Sequence, residues 1–164
     1  MRFIALVLVG VAVVPLTVPT SLSGTPTCTI VGTPGPDELI GTSGRDVICG
    51  KGGDDVLVGR GGRDLLIGGR GDDELDGGRG GDVLKGSAGA DTFVDFYSKD
   101  RMYGGRGDDM CMNGRDGSGG DVLDGGPGQD GYNLDHGDTR TNFEYLQDEP
   151  KVCGGWDGKG PLPR

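Results

Sequence analysis

The sequence predicts an all-β fold of short strands separated by sharp glycine-rich turns. Three observations carry that prediction. Glycine recurs at a period of nine, aspartate recurs at the same period, and so does a large apolar residue, all in phase over roughly residues 32–133. Composition by itself points elsewhere. The 164 residues carry a net charge of -10, 37 glycines and only 5% aromatics, which is the profile of a disordered acidic segment. Order in the spacing overturns that reading.

The frame starts with "GTPGPDELI" at 32–40 and runs without a gap through "GTSGRDVIC", "GKGGDDVLV", "GRGGRDLLI", "GGRGDDELD", "GGRGGDVLK" and "GSAGADTFV". "DFYSKDRMY" and "GGRGDDMCM" follow, then "NGRDGSGGDVLD" with a three-residue insertion, and "GGPGQDGYN" at 125–133 restores the frame. The sixth position holds Asp37, Asp46, Asp55, Asp64, Asp73, Asp82, Asp91, Asp100 and Asp109, with Asp121 and Asp130 continuing the series. The eighth holds Leu39, Ile48, Leu57, Leu66, Leu75, Leu84, Phe93, Met102, Cys111, Leu123 and Tyr132. A linker has no use for an apolar residue locked to that phase.

Each column has a task. The first six residues of a repeat turn the chain sharply, and glycine takes the required positive φ without a Cβ penalty. The last three form a short strand, whose eighth-position side chain points inward while its neighbours point outward. The outward columns are accordingly mixed, with Glu38, Thr92, Asp76 and Lys85 among them.

This pattern resembles the haemolysin-type (RTX) calcium-binding nonapeptide, G-G-x-G-x-D-x-U-x, where U is a large apolar residue. The resemblance implies a parallel β-roll, a β-solenoid with two repeats per coil, so that residue i stacks on residue i+18. Parallel strands then need no helical crossover, because the turn itself makes the connection. Stacking at that interval puts like charges in columns: Asp37, Asp55, Asp73, Asp91 and Asp109 on one edge, Asp46, Asp64, Asp82 and Asp100 on the other. Such columns repel unless cations sit between them. Calcium suits the position, a hard ion taking six to eight oxygens, whereas magnesium demands a tighter octahedron. The expected metal ligands are Asp37, Asp46, Asp55, Asp64, Asp73, Asp82, Asp91, Asp100, Asp109 and Asp130, with ions shared between successive coils. Pairs eighteen apart (37/55, 55/73, 73/91, 91/109, 46/64, 64/82, 82/100) give a geometric expectation of seven ions. Three places break the pattern. "DFYSKDRMY" lacks both turn glycines, which makes its 82/100 pair the weakest of the seven; the 113–124 segment is expected to bulge and displace Asp121; Asp130 has no following repeat.

Outside the repeats, residues 1–24 read as a secretory signal peptide: Met1 and Arg2, the apolar run "FIALVLVGVAVVPL", then small residues. Four cysteines fit an oxidising compartment. Of three possible pairings, Cys28 with Cys49 is preferred, both being near the N-terminal end of the repeats, which leaves Cys111 with Cys153; the others stay open. The roll is expected over 28–133, a capping segment over 134–150 with Phe143 and Leu146 covering the last coil, and a flexible tail over 151–164 that includes Trp156.

The remaining residues have ordinary explanations. His136 is the only histidine, with no H-E-x-x-H or G-x-S-x-G to make an active site. "RGD" at 70–72 and 106–108 falls on turn positions of the repeat. Arg45, Arg60, Arg63, Arg70 and Arg79 moderate the acidity, and the net negative charge argues against nucleic acid as a partner. The expected protein is therefore secreted and extracellular, not an enzyme, not inserted in a membrane once its signal is removed, and partnered by several Ca2+ ions. It is similar to small exported repeat proteins of Gram-positive bacteria. The alternative is a calcium-dependent adhesive or structural module that engages a cell-surface or matrix component.

Overall fold

The computed structural model describes residues 26–95, 97–113, 119–133 and 136–142. Residues 1–25, read as the signal, lie outside them, as do Phe143, Leu146 and the tail with Trp156 and Cys153. Two parallel sheets face each other. One contains β1 (Ile30–Val31), β3 (Val47–Gly52), β5 (Leu65–Arg70), β7 (Val83–Ala88), β9 (Arg101–Arg106), β11 (Val122–Asp124) and β13 (Thr139–Thr141), in that spatial order. The other contains β2 (Glu38–Ile40), β4 (Val56–Val58), β6 (Glu74–Asp76), β8 (Thr92–Val94), β10 (Met110–Asn113) and β12 (Tyr132–Asn133). No helix occurs among the described residues. Consecutive strands alternate between sheets, so two repeats complete one coil. The chain is a parallel β-roll.

Register follows the repeat. Ile48 pairs with Leu66, Leu66 with Leu84 and Leu84 with Met102 in one sheet. Leu39, Leu57, Leu75 and Phe93 align in the other. Ile48, Leu57, Leu66, Leu75, Leu84, Phe93, Met102 and Leu123 are fully buried in one cluster, with Ile30, Leu39 and Tyr132 packed against it. The core is one side chain per repeat, fed alternately from the two sheets.

The strands are not all three residues long. In the first sheet, β3, β5, β7 and β9 each run six residues, continuing into the following turn. There the turns themselves pair, Lys51 with Gly69 and Gly69 with Ser87. The turns at the opposite edge make only the isolated bridge Gly61–Arg79 among the described residues.

The two glycine columns answer different needs. Fourth-position Gly80 sits at φ +135 with its Cα against the Gly62 carbonyl of the previous coil, leaving no room for a Cβ. First-position glycines are needed for close approach, described below. The second position also takes positive φ, and not only in glycine: Lys51 (φ 85), Arg60 (φ 73) and Ser87 (φ 90) adopt it.

At the ends, the Cys28–Cys49 disulfide ties β1 to β3. The expected partner bond rests on Cys153 and on the Cys111 side chain, both outside the described residues. The insertion keeps the coil in step: β11 pairs with β9, Leu123 opposite Met102, so the three extra residues lie between β10 and Asp121, a stretch that includes residues outside those described. Beyond the last recognisable repeat the roll continues, because Thr139–Thr141 pairs in parallel with β11.

Leu75→Ala should cost about 3 kcal/mol, since the single-file core has no second layer to close the cavity. Gly80→Ala should cost at least about 2 kcal/mol through backbone overlap and strain. Denaturant unfolding in excess calcium measures both.

Candidate metal centre

The sixth-position aspartates stand in two rows along the edges of the roll. From Asp55 onward, each one's Oδ1 accepts the main-chain N–H of the sixth-position residue one coil earlier. In one row Asp55 accepts from Asp37 at 2.8 Å, Asp73 from Asp55 at 2.9 Å, Asp91 from Asp73 at 2.9 Å, Asp109 from Asp91 at 3.0 Å and Asp130 from Asp109 at 3.0 Å. In the other row Asp64 accepts from Asp46 at 2.8 Å, Asp82 from Asp64 at 2.7 Å, Asp100 from Asp82 at 2.7 Å and Asp121 from Asp100 at 2.7 Å. Asp121 is therefore in line and buried, not displaced. Asp138 extends the same row, accepting from Asp121 at 3.1 Å. Sequence reasoning missed it because the step from Asp121 is seventeen residues, one short of the coil period. A further set, Asp54, Asp72 and Asp108, braces the fifth-position N–H of the next coil. Two of these are the aspartates of the "RGD" segments, whose position is thus explained by the fold.

The second carboxylate oxygen is the chemically telling atom. Oδ2 of Asp55, Asp64, Asp73, Asp82, Asp91 and Asp109 is buried and accepts no hydrogen bond among the described residues. Each lies beside the first-position glycine of its own repeat. A Cβ placed on Gly59 would stand 2.7 Å from Asp64 Oδ2 and 2.5 Å from the carbonyl oxygen of Gly77, one coil on. Asp55 Oδ2 and the Gly68 carbonyl converge in the same way on Gly50, and Asp109 Oδ2 and the Gly125 carbonyl on Gly104. Two acceptors meet in a cradle with no donor between them. Leaving such buried charge unpaired is costly. The donor set, carboxylate and carbonyl oxygen only, fits a hard cation of the calcium type.

The first two aspartates differ. Asp37 Oδ2 accepts from Thr33 N–H at 2.6 Å and Thr33 Oγ1–H at 2.9 Å, and Asp46 Oδ2 from the corresponding groups of Thr42 at 2.7 and 2.9 Å. Threonine is the second-position residue in both repeats. Its β-branch disfavours positive φ, and Thr33 and Thr42 do not adopt it. The N–H consequently turns toward the carboxylate, and the hydroxyl adds a second donor. From Lys51 onward the second position flips wherever it is described, and the carboxylate loses both.

Charge follows geometry. The Thr42 hydrogen bonds hold the Asp46 carboxyl below the usual carboxylate range. Burial raises Asp55 and Asp64 and pushes Asp73 and Asp109 up to about 7 and Asp82 and Asp91 to about 6, with neighbouring carboxylates adding to it for Asp73, Asp82, Asp91 and Asp109. Asp95 is raised further still, by burial and by Asp100 and Asp82. The groups with elevated values hold protons more tightly folded than unfolded. Without metal, their contribution to stability is complete below about pH 4 and is lost as the pH rises through about 6 to 7. In chelator, acidification from about pH 8 to about pH 5 should therefore increase the β signal in circular dichroism. Calcium binding at about pH 6 should release protons, measurable as a dependence of the calorimetric heat on the buffer's ionisation enthalpy.

The RTX calcium-binding nonapeptide repeat family matches the chain over residues 29–57, 50–84 and 76–111. No curated protein and no solved structure matches it. The matched residues are those that build the stacked coils and most of both aspartate rows, in the register the nonapeptide imposes. The chain belongs to the family of RTX calcium-binding nonapeptide repeat proteins.

Proposed function

We propose that this is a secreted, non-enzymatic calcium-binding protein whose roll becomes rigid when Ca2+ ions are clamped between successive coils. The observation that carries the reading is the run of buried Oδ2 atoms, which at Asp55, Asp64 and Asp109 face main-chain carbonyls. Such a site is completed by a cation, and no donor among the described residues takes its place. Asp55, Asp64, Asp73, Asp82, Asp91 and Asp109 are its central ligands, Asp100 and Asp130 stand in the same two rows, and first-position carbonyls supply further oxygens. Asp37 and Asp46 belong to the rows as well, with Thr33 and Thr42 already donating to them. A bound ion supplies the positive charge that offsets carboxylate repulsion, so metal affinity appears as folding free energy.

Secretion is supported by the basic, apolar, small-residue order of residues 1–24 and by cysteine pairing, both of which suit an oxidising exterior. Calcium is abundant there, so folding would be switched by export. The absence from the sequence of any second constellation of nucleophile, base and orienting group supports a non-enzymatic role.

Circular dichroism during a calcium titration of the chain from about residue 25 tests the proposal. The expected result is a largely disordered spectrum in chelator at neutral pH and a β spectrum in millimolar calcium, with magnesium a poor substitute. A spectrum indifferent to chelator would sink it.

A further inference from the structure

The coil at 95–103 has aspartate where its neighbours have the first turn glycine, and Ser98, at φ 82, where they have the second. By the repeat pattern it is a lost site. Its side chains are arranged otherwise. At Gly50 and Gly59 the oxygen arriving from the next coil is a main-chain carbonyl, whereas at Gly77 the nearest atom is Oδ2 of Asp95, followed by Oδ2 of Asp82. The Asp95 carboxylate thus takes the place that a carbonyl takes elsewhere. Ligand oxygens of Asp82, Asp95 and Asp100 lie within 4.8 Å of one another, and all three residues are buried. Asp95 is 1% exposed, Asp82 0%. Asp95 Oδ1 has one long contact, from the Tyr97 N–H at 3.4 Å; its Oδ2, like that of Asp82, accepts no hydrogen bond among the described residues. Asp76 adds a fourth negative charge to the field at Asp82 and Asp95, and Arg63 opposes it at Asp82.

We propose that Asp82, Asp95 and Asp100 form a distinct hard-cation site, richer in charge than the repeat sites and filled by calcium before them. The inference rests on the clamp reading of the other coils. Replacing a carbonyl dipole by a full carboxylate adds a unit of negative charge in a buried setting, where attraction to a divalent ion is strongest. The site sits in the middle of the roll, with coils on both sides. Early filling there organises the chain from its centre.

Calcium calorimetry on the full chain, with Asp95→Asn and Asp95→Gly beside it, tests this. Asn keeps the shape and removes the charge. Gly restores the ordinary repeat residue, so that one of the two variants retains the fold, checked by its β spectrum in saturating calcium. The wild type should show one equivalent bound at least about tenfold more tightly than the rest, and both variants should lose that class while keeping the weaker one. Superimposable isotherms for wild type and variants would overturn the special site and leave the clamp standing. A wild type that binds no calcium would overturn both.

Discussion

At Asp55, Asp64, Asp73, Asp82, Asp91 and Asp109 the sixth-position carboxylate does two things with its two oxygens, and the roll depends on both. Oδ1 accepts the N–H of the previous coil, which fixes the spacing and alignment of the rows. Oδ2 is thereby held against the first-position glycine and buried, and at Asp55, Asp64, Asp82 and Asp109 it faces another acceptor. The same hydrogen bond that organises the stack creates the electrostatic problem. An ordinary domain would outweigh that cost with a thick core, but here eight fully buried apolar side chains form a single file. The Oδ1 bonds hold the coils at this spacing, and without a cation the buried carboxylates shed their charge only by taking up protons, as their raised pKa values show. On the proposed reading the cation resolves a conflict that the fold itself imposes.

The N-terminal coil escapes that conflict. Thr33 and Thr42 satisfy the first two carboxylates from within, and the Cys28–Cys49 disulfide closes the same end. In a solenoid each coil contacts only its neighbours, so stability propagates from any coil that is already formed. A first coil held by covalent and hydrogen bonds offers a templating edge on which the charged coils assemble.

Much of this was legible in the sequence. The eighth column became the core and the sixth became the buried rows, because period nine fixes both at once. What the sequence concealed lies where the period fails. Asp121 stays in line although three extra residues precede it, since β11 still pairs with β9 and the Oδ1 bond holds the aspartate to the previous coil. Asp138 joins the row from a segment without the glycine pattern, by a step one residue short. Asp95 reads as damage to a turn, yet its carboxylate arrives where a carbonyl belongs. The six-residue strands were hidden for another reason. Glycine-rich turns carry no strand signature of their own, and only stacking reveals that they pair.

The second position shows how little sequence separates a self-satisfied turn from one that calls for a cation. Thr42 and Lys51 occupy equivalent places in adjacent repeats. A β-branched residue keeps the backbone out of positive φ, so its N–H and hydroxyl reach the aspartate four residues on. An unbranched residue or glycine permits the flip, and the N–H leaves. The aspartate is the same in both turns and so is its bond to the neighbouring coil. What changes is whether its second oxygen meets a proton donor or another oxygen. On the proposed reading, metal demand in this roll is therefore set by a backbone torsion at a residue that need not itself touch the ion, and a search confined to ligand types overlooks it.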